Sequence, residues 1–294
     1  MTALVGPNQP VQTRKRKRRA TQDDGRDLPS TTQRLTVIAI LSTVVVPFIA
    51  LLIWSFAFSW FFPDLLPSRW SLDSWEYVRL PNSKVLSSLW NSITLGLLVC
   101  LMALLVGLPA SRALGLYEFR GKSAVELFLM APIIVPPLVS VMGIHVTFIE
   151  LGLTGSYVGV ALVHLIPSIP YFVLVMAGVF ANYGTELEDT ARSLGAGPVR
   201  VFFLVTLPAV APGLSVALMF TFLISWGQYI TTLLIGSGRV TTLPIVLFPL
   251  LTGPSKANAA AVSLVLVAPA LIALFLTARQ LGRDSTTLGG FGRL

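Results

Sequence analysis

Charged side chains are scarce: Asp, Glu, Lys and Arg make up 12% of the 294 residues, about half the share of an ordinary soluble domain. Cysteine is nearly absent. The single thiol, Cys100, forms no internal disulfide, which excludes a secreted disulfide scaffold and a Cys-rich metal site. Two histidines, His145 and His164, fall short of the three or four ligands of a metal centre. A buried histidine bonded to a carbonyl is the expectation for such residues. No Ser/His/Asp set or carboxylate pair stands at a distinctive spacing, so no enzymatic step and no cofactor is expected. The GKS at 121–123 lacks the first glycine of a phosphate loop, because Leu116 stands where it is required, and no apolar strand precedes it. ATP chemistry, where needed, is expected on a partner chain.

What the chain has in abundance is long apolar runs. Six stretches carry no Asp, Glu, Lys or Arg: 35–63, 85–111, 127–149, 151–185, 201–238 and 257–278. Each exceeds the ~18 residues that suffice for a membrane span. Six such runs exclude a soluble enzyme and a fibrous protein. They predict an all-α polytopic membrane protein with helices at about 35–58, 88–111, 124–148, 157–181, 212–235 and 257–279. The first run is too long for the apolar part of a signal peptide and lacks a small-residue cleavage site.

The net charge of +8 is concentrated in RKRKRR at 14–19. In isolation that cluster suits nucleic acid. Beside a span, in a polar and Pro-rich segment, it reads instead as a disordered basic tail, 1–34, attracted to anionic lipid. Nucleic acid is not an expected partner. Cations also set orientation. With the N-terminus cytoplasmic, the inner segments hold 16 Lys and Arg and the outer loops 5. Both termini are therefore expected inside, with 282–294 as a second tail and 182–208 as a cytoplasmic loop. Trp54, Trp60, Trp70 and Trp75 fit anchoring at the outer interface.

Pro132, Pro136 and Pro137 lie in the third run, and Pro167 and Pro170 in the fourth. Each removes a backbone donor and kinks a helix. Such kinks suit a moving pathway, although proline is also common in membrane helices. Gly155 and Gly159 have the small-xxx-small spacing of close helix contacts. Glu126 suits a helix N-terminus, and Glu150 is expected to be solvated at the outer end of the third span.

Between the fourth and fifth spans lies ELEDTARSLGAGPVRVFFLVTLPAVAPG, Glu186 to Gly213. Leu187, Ala191 and Leu194 fall at helical spacing on one face, and Glu188 and Arg192 form a favourable i,i+4 pair. Gly195, Gly197 and Pro198 stop the helix. A short segment, 199–207, then leads into the fifth span. A broken amphipathic helix on the cytoplasmic side is a docking element. This segment resembles the EAA loop of permease subunits of binding-protein-dependent ABC importers. Asp189-Thr190-Ala191 stand for Glu-Ala-Ala, Gly195 follows at the family spacing, and Val205, Thr206, Leu207 and Pro208 complete the pattern.

The resemblance covers roughly 85–280. FRGKS at 119–123 with the following apolar run, and Trp226 to Phe248, resemble the polyamine (spermidine/putrescine) branch, which also includes iron, thiamine and phosphonate importers. It implies a type I fold, pairing with a second permease subunit, two ATP-binding subunits and an extracytoplasmic solute-binding protein, in the bacterial cell (inner) membrane. It assigns ATPase coupling to Leu187, Glu188, Asp189, Thr190, Ala191, Arg192, Leu194, Gly195, Leu207 and Pro208.

Gln228 and Tyr229 are expected mid-span in the fifth helix. Polar groups there face a cavity or bridge helices. With Trp226, Pro167 and Pro170 they are the candidates for the solute pathway. Polyamine-type relatives often carry an acidic pair near this point, whereas this chain has Gly227-Gln228, which leaves a neutral, anionic or zwitterionic solute open. Two other classes stand against the importer reading. A self-sufficient secondary transporter would show inverted repeats and intramembrane charges. A polytopic enzyme would show a catalytic constellation.

Overall fold

A computed structural model describes residues 31–60, 64 and 66–288 of the chain. Most of the basic tail, 1–30, and the last residues, 289–294, lie outside the described residues. Two units make up the chain: Met1–Pro47, and Phe48–Leu294. The described part of the first is the beginning of helix α1, Thr31–Ser55. The expected tail 1–34 thus ends in the first turn of a helix.

In the second unit a small antiparallel pair follows, β1 (Ala57–Ser59) and β2 (Arg69–Trp70), with Ala57 opposite Trp70. A short helix α2 (Asp73–Arg79) leads to α3 (Val85–Leu116). Then come α4 (Lys122–Ile134), α5 (Pro137–Glu150) and α6 (Tyr157–Ala181). The loop holds α7 (Glu186–Ser193), followed by α8 (Pro198–Val201), a π turn at Phe202–Thr206 and α9 (Leu207–Trp226). The chain closes with α10 (Ile230–Gly236), α11 (Leu243–Thr252) and α12 (Lys256–Leu288). Five helices are long and apolar enough to cross a membrane, and six if the bent pair α4 and α5 is one span.

Three expected boundaries need correction. The third span is not one kinked helix: α4 and α5 meet at 101°. Consecutive prolines cause this, since each forces the residue before it out of the helical region. Val135 (ψ 127°) and Pro136 (ψ 135°) are both extended. The fifth span begins earlier and ends earlier than 212–235. Helix runs without interruption from Pro198 through the π turn to Trp226, then breaks before α10. The last helix continues to Leu288, so the expected tail 282–294 begins helical.

Polarity is inverted relative to a soluble bundle. The outward faces are apolar, as with Leu105, Leu127 and Phe128. The interior takes the hydroxyls of Ser92, Ser111, Ser168, Thr221, Ser225 and Thr232 as well as aliphatic groups. A lipid solvent removes the usual penalty on exposed apolar groups, so packing and interhelical hydrogen bonds hold the spans together. The core is the trio α3, α6 and α9, where Phe172, Met176 and Phe180 of α6 meet Ala103, Leu108 and Leu114 of α3 and Val210 and Ala217 of α9. A second cluster around Trp226, Leu243, Leu247 and Ala261 joins α9, α11 and α12.

Small residues do enable close helix contacts, though not the pair expected. A Cβ added at Gly159 would strike the Leu153 carbonyl oxygen in its own preceding turn (2.0 Å). Gly155 precedes α6 and its N–H donates to the Ile235 carbonyl oxygen (2.7 Å). The close approaches are on α3 and α9: a Cβ at Gly213 would lie 2.3 Å from the Val179 side chain of α6. A Cβ at Gly107 would lie 2.5 Å from the Phe172 ring, and one at Gly115 2.5 Å from Phe180.

Gly107→Leu should therefore overpack the α3–α6 contact and destabilise by about 1–3 kcal/mol. Gly178→Ala adds a Cβ with nothing within 4 Å, and should be neutral or stabilising by up to about 1 kcal/mol. Thermal melts of the detergent-purified variants compare the two.

Candidate functional site

The loop helix α7 leaves an apolar edge open. Leu187 is 62% and Leu194 84% exposed, on a helix only eight residues long. Its end is well made. Gly195 N–H donates to the Arg192 carbonyl oxygen (2.9 Å) and Ala196 N–H to that of Ala191 (3.0 Å), the paired bonds of a Schellman motif. Gly195 has φ +86° and nothing within 4 Å of an added Cβ. The demand for glycine is thus conformational, since the left-handed region is strained for any residue with a Cβ.

The opposite side of α7 is anchored by one residue. Glu188 is 1% exposed. Its Oε2 accepts from Arg112 Nη2 of α3 (2.7 Å) and from Arg192 Nη2 (3.0 Å), and its Oε1 accepts from Thr206 Oγ1 (2.6 Å). The expected Glu188–Arg192 surface pair exists but is the outer part of a buried node joining α7 to α3 and to the start of α9. Arg112 and Thr206 are the functional candidates that spacing did not single out; a lone arginine near the end of an apolar helix was the available signal. Asp189 points outward and pairs with Arg192 (3.2 Å). Thr190 Oγ1 donates to the Glu186 carbonyl oxygen (2.8 Å).

The π turn explains how Thr206 arrives there. Pro208 has no N–H and its ring crowds the carbonyl four residues earlier. The helix widens for one turn, and the Leu207 N–H bonds five residues back to Phe202. Such bulges recur where a side chain must be re-aimed. Thr206 is fully buried and faces Glu188. Tyr183 is half-buried beside the node, its hydroxyl oxygen withdrawn from solvent and without a hydrogen-bond partner. Burial pushes the Glu188 carboxyl up, but the bonds from Thr206 and Arg112 and the two guanidinium charges outweigh it, holding the group below its ordinary range.

The pathway candidates separate into four places. Gln228 and Tyr229 are not mid-helix; they occupy the break between α9 and α10. Gly227 weakens the helix, and local side chains offer the backbone other bonds: Thr232 Oγ1 donates to the Gln228 carbonyl oxygen (2.9 Å). Gln228 Oε1 accepts from Thr231 Oγ1 (2.6 Å). The Tyr229 ring stacks on Phe248 of α11 at 4.1 Å and 9°. Trp226 is buried instead, its indole N–H donating to the Leu266 carbonyl oxygen of α12 (3.0 Å). Pro167 shares a small cleft with Pro132, Pro137 and Thr231, beside the bend of the third span. Pro170 faces a separate apolar cleft with Phe128 and Pro132.

His164, which sequence placed against a carbonyl, bonds two hydroxyls. The one proton of Thr232 Oγ1 goes to Gln228, so His164 Nε2 donates to that oxygen (2.8 Å) and Nδ1 accepts from Ser225 Oγ (3.0 Å). Ser225 precedes the break and Thr232 follows it, so α6 holds both sides of it. Among the described residues no three His, Cys, Asp or Glu groups gather as a metal site.

Removing Glu188 tests the node. Glu188→Ala leaves Arg112 and Thr206 unpaired and should cost about 3 kcal/mol, the lower end for a broken buried pair because Arg112 retains some solvent. Protease cleavage within 182–197 reads the loosening. A carboxyl held below its ordinary range contributes stability above that range, and the contribution fades as pH falls through its folded value. The wild-type melting temperature should therefore drop below about pH 4.3, with a flatter profile for Glu188→Gln.

Comparison with known proteins places this architecture. Residues 103–283 match the family model described as a binding-protein-dependent transport system inner membrane component. A molybdenum transport system permease protein of Mycobacterium tuberculosis is 28% identical over 228 residues, covering 72% of this chain and 85% of that protein. A protein of Salmonella typhimurium named for 2-aminoethylphosphonate transport, also a permease, is 31% identical over 217 residues, covering 71% and 78%. The fold matches that in the crystal structure of a bacterial ABC transporter involved in the import of alginate, with a TM-score of 0.65 and 16% identity over 86% of this chain and 98% of that one. The chain belongs to the inner-membrane components of binding-protein-dependent transport systems: it is a multi-pass permease subunit of an ABC importer and not an enzyme.

Proposed function

We propose that α7 is the element on which an ATP-hydrolysing subunit docks, and that 182–208 is the coupling loop on the cytoplasmic side. The observation that carries this reading is the division of α7 into two faces. Leu187 and Leu194 stand open to a partner while Glu188 fixes the helix to the permease body. An ammonium- or carboxylate-lined surface would not need such leucines. Two apolar side chains on a rigid stub suit a cleft in another protein. Asp189, Thr190, Ala191 and Arg192 then border the contact. Gly195 sets the exit angle, and Leu207 and Pro208 begin the span that the motion reaches.

On this reading both termini lie inside, which the 16-to-5 distribution of Lys and Arg supports. A second permease subunit completes the pathway, and a solute-binding protein delivers from outside. ATP binding closes the two ATPase subunits, their motion carries α7, and the spans rock about the solute.

The solute is a small polar anion or zwitterion in preference to a polyamine. A polyamine needs acidic groups along its route, and the break holding Gln228 and Tyr229 has none. Relatives named for molybdenum and for 2-aminoethylphosphonate support the same choice. Gln228, whose Oε1 is taken by Thr231, offers its amide N–H groups to an acceptor. Tyr229 and the cleft at Pro167 continue the route. Trp226 and Pro170 contribute by shaping the walls, as their buried positions suggest.

Leu194→Asp should insert normally and lose co-purification of the ATPase by about tenfold or more, the penalty for placing a charge in an apolar pocket. Gly195→Val should misplace the exit at about 1–2 kcal/mol of strain and weaken uptake. Retained ATPase with Leu194→Asp would end the docking assignment. In a Cys100→Ala background, thiol labelling from outside should reach Ser237→Cys but not Ser193→Cys. For the solute, uptake by the complete importer should be competed by molybdate or 2-aminoethylphosphonate. Competition by spermidine alone would restore the polyamine assignment.

A further inference from the structure

We propose that Arg112 is a positioning residue of the coupling device: through Glu188 it makes α7, α3 and α9 a single lever, so that a displacement of α7 is delivered into the α3–α6 packing. This rests on the reading of α7 as the docking helix and goes beyond it, because the family pattern ends at the loop and says nothing of the second span. Three observations carry it.

The first is the burial of the link. Glu188 is 1% exposed and receives Arg112, Arg192 and Thr206 together. A carboxylate so withdrawn from water cannot part from its donors without becoming an unpaired buried charge, which is strongly unfavourable. Surface pairs carry no such constraint. Lys122 and Glu118 sit equally close at 2.7 Å, but Glu118 is 89% exposed, and either partner is free to exchange for water.

The second is where the donors stand. Arg112 lies one turn before the end of α3, 76 residues before Glu188. Thr206 lies at the junction of the π turn and α9. The carboxylate thus gathers three elements from separate parts of the chain. The third is what α3 touches. Gly107 and Gly115 flank Arg112 and fit against Phe172 and Phe180 of α6 with no room for a Cβ. Movement of this end of α3 cannot be absorbed by a loose interface, since close-packed interiors transmit displacement. Arg112 therefore connects the loop to a close helix contact, and α6 in turn holds the Gln228 break through His164.

The test uses the complete importer in proteoliposomes, reading co-purified ATPase and the ATP hydrolysed per solute imported. Arg112→Met should retain the ATPase, because its site is on the far side of α7 from Leu187 and Leu194. It should raise the ATP cost per solute about tenfold, within the span of ordinary coupling energies, and Arg112→Lys should recover most of the loss. Arg112→Met with a wild-type ratio overturns the proposal, and so does loss of the ATPase from a variant that melts normally.

Should Arg112→Met fail to fold, a covalent link decides. In a Cys100→Ala background, Arg112→Cys with Glu188→Cys is bridged by a short bis-thiol reagent. A single lever keeps importing when bridged. Import restored by Arg112→Cys and Glu188→Cys only without the bridge means that α3 and α7 must separate during the cycle, which overturns the proposal. Leu194→Asp separates the two ideas. If it keeps the ATPase, the docking assignment fails. If it loses the ATPase while Arg112→Met imports at the wild-type ratio, docking stands and the lever falls.

Discussion

One buried carboxylate organises the α7 end of this permease. Glu188 has three donors from three elements, and each element has its own reason to be there. α7 is short and amphipathic, and an eight-residue helix has little stability alone. Its Schellman end and its first-turn acids help, yet the Glu188 node is what ties it to the spans. The π turn, forced by Pro208, aims Thr206 at the carboxylate. Arg112 arrives because α3 extends well beyond the length a membrane requires. With the inner side of α7 held this way, the outer side is left to Leu187 and Leu194, and an exposed apolar pair on a fixed support is what a partner protein can recognise.

The spans obey a different balance. In lipid an apolar residue gains nothing by facing inward, so α3, α6 and α9 are held by fit and by hydroxyls. Glycines on α3 bring Phe172 and Phe180 into contact with its backbone, and buried Ser and Thr hydroxyls bond carbonyls one turn back in their own helices. Prolines act where this regular packing must be interrupted. Pro136 and Pro137 turn the third span through 101°, and Pro167 faces the same region from α6. The second interruption, at 227–229, has no proline. It is held by His164, which reaches a hydroxyl on either side. Gln228 and Tyr229 at the second interruption are half-buried, whereas Val135, Pro136 and Pro137 at the first are exposed on this chain; irregular backbone at membrane depth needs protein or a water-filled cavity beside it.

These two features divide the labour expected of an importer subunit. The Glu188 node is charged, buried and stiff. The break near Gln228 is neutral and hydroxyl-rich, with one aromatic stack, Tyr229 on Phe248, beside it. A stiff element transmits displacement, and a break in a helix accepts it with small changes of backbone angle. The break, Gly227-Gln228-Tyr229, carries no acid.

The sequence by itself determined the class of the protein. Charge-free runs longer than a soluble helix needs fix a polytopic α-helical architecture, because a bilayer of given thickness demands length and apolarity and little else. The loop was legible for a related reason: its spacing of Leu187, Ala191, Leu194 and Gly195 is local, and a helix with a glycine stop is decided by residues within two turns. What only the tertiary structure decided is non-local. A run without charge does not reveal where it breaks, so the bend at Val135–Pro136 and the end of α9 at Trp226 shifted two expected spans. The partner of Glu188 was expected four residues away and proved to include Arg112 and Thr206. His164 and Trp226 found hydroxyls and a distant carbonyl, respectively. For Glu188, His164 and Trp226 the deciding contact lies on another element, and a hydrogen bond between elements leaves no period in the sequence that carries it.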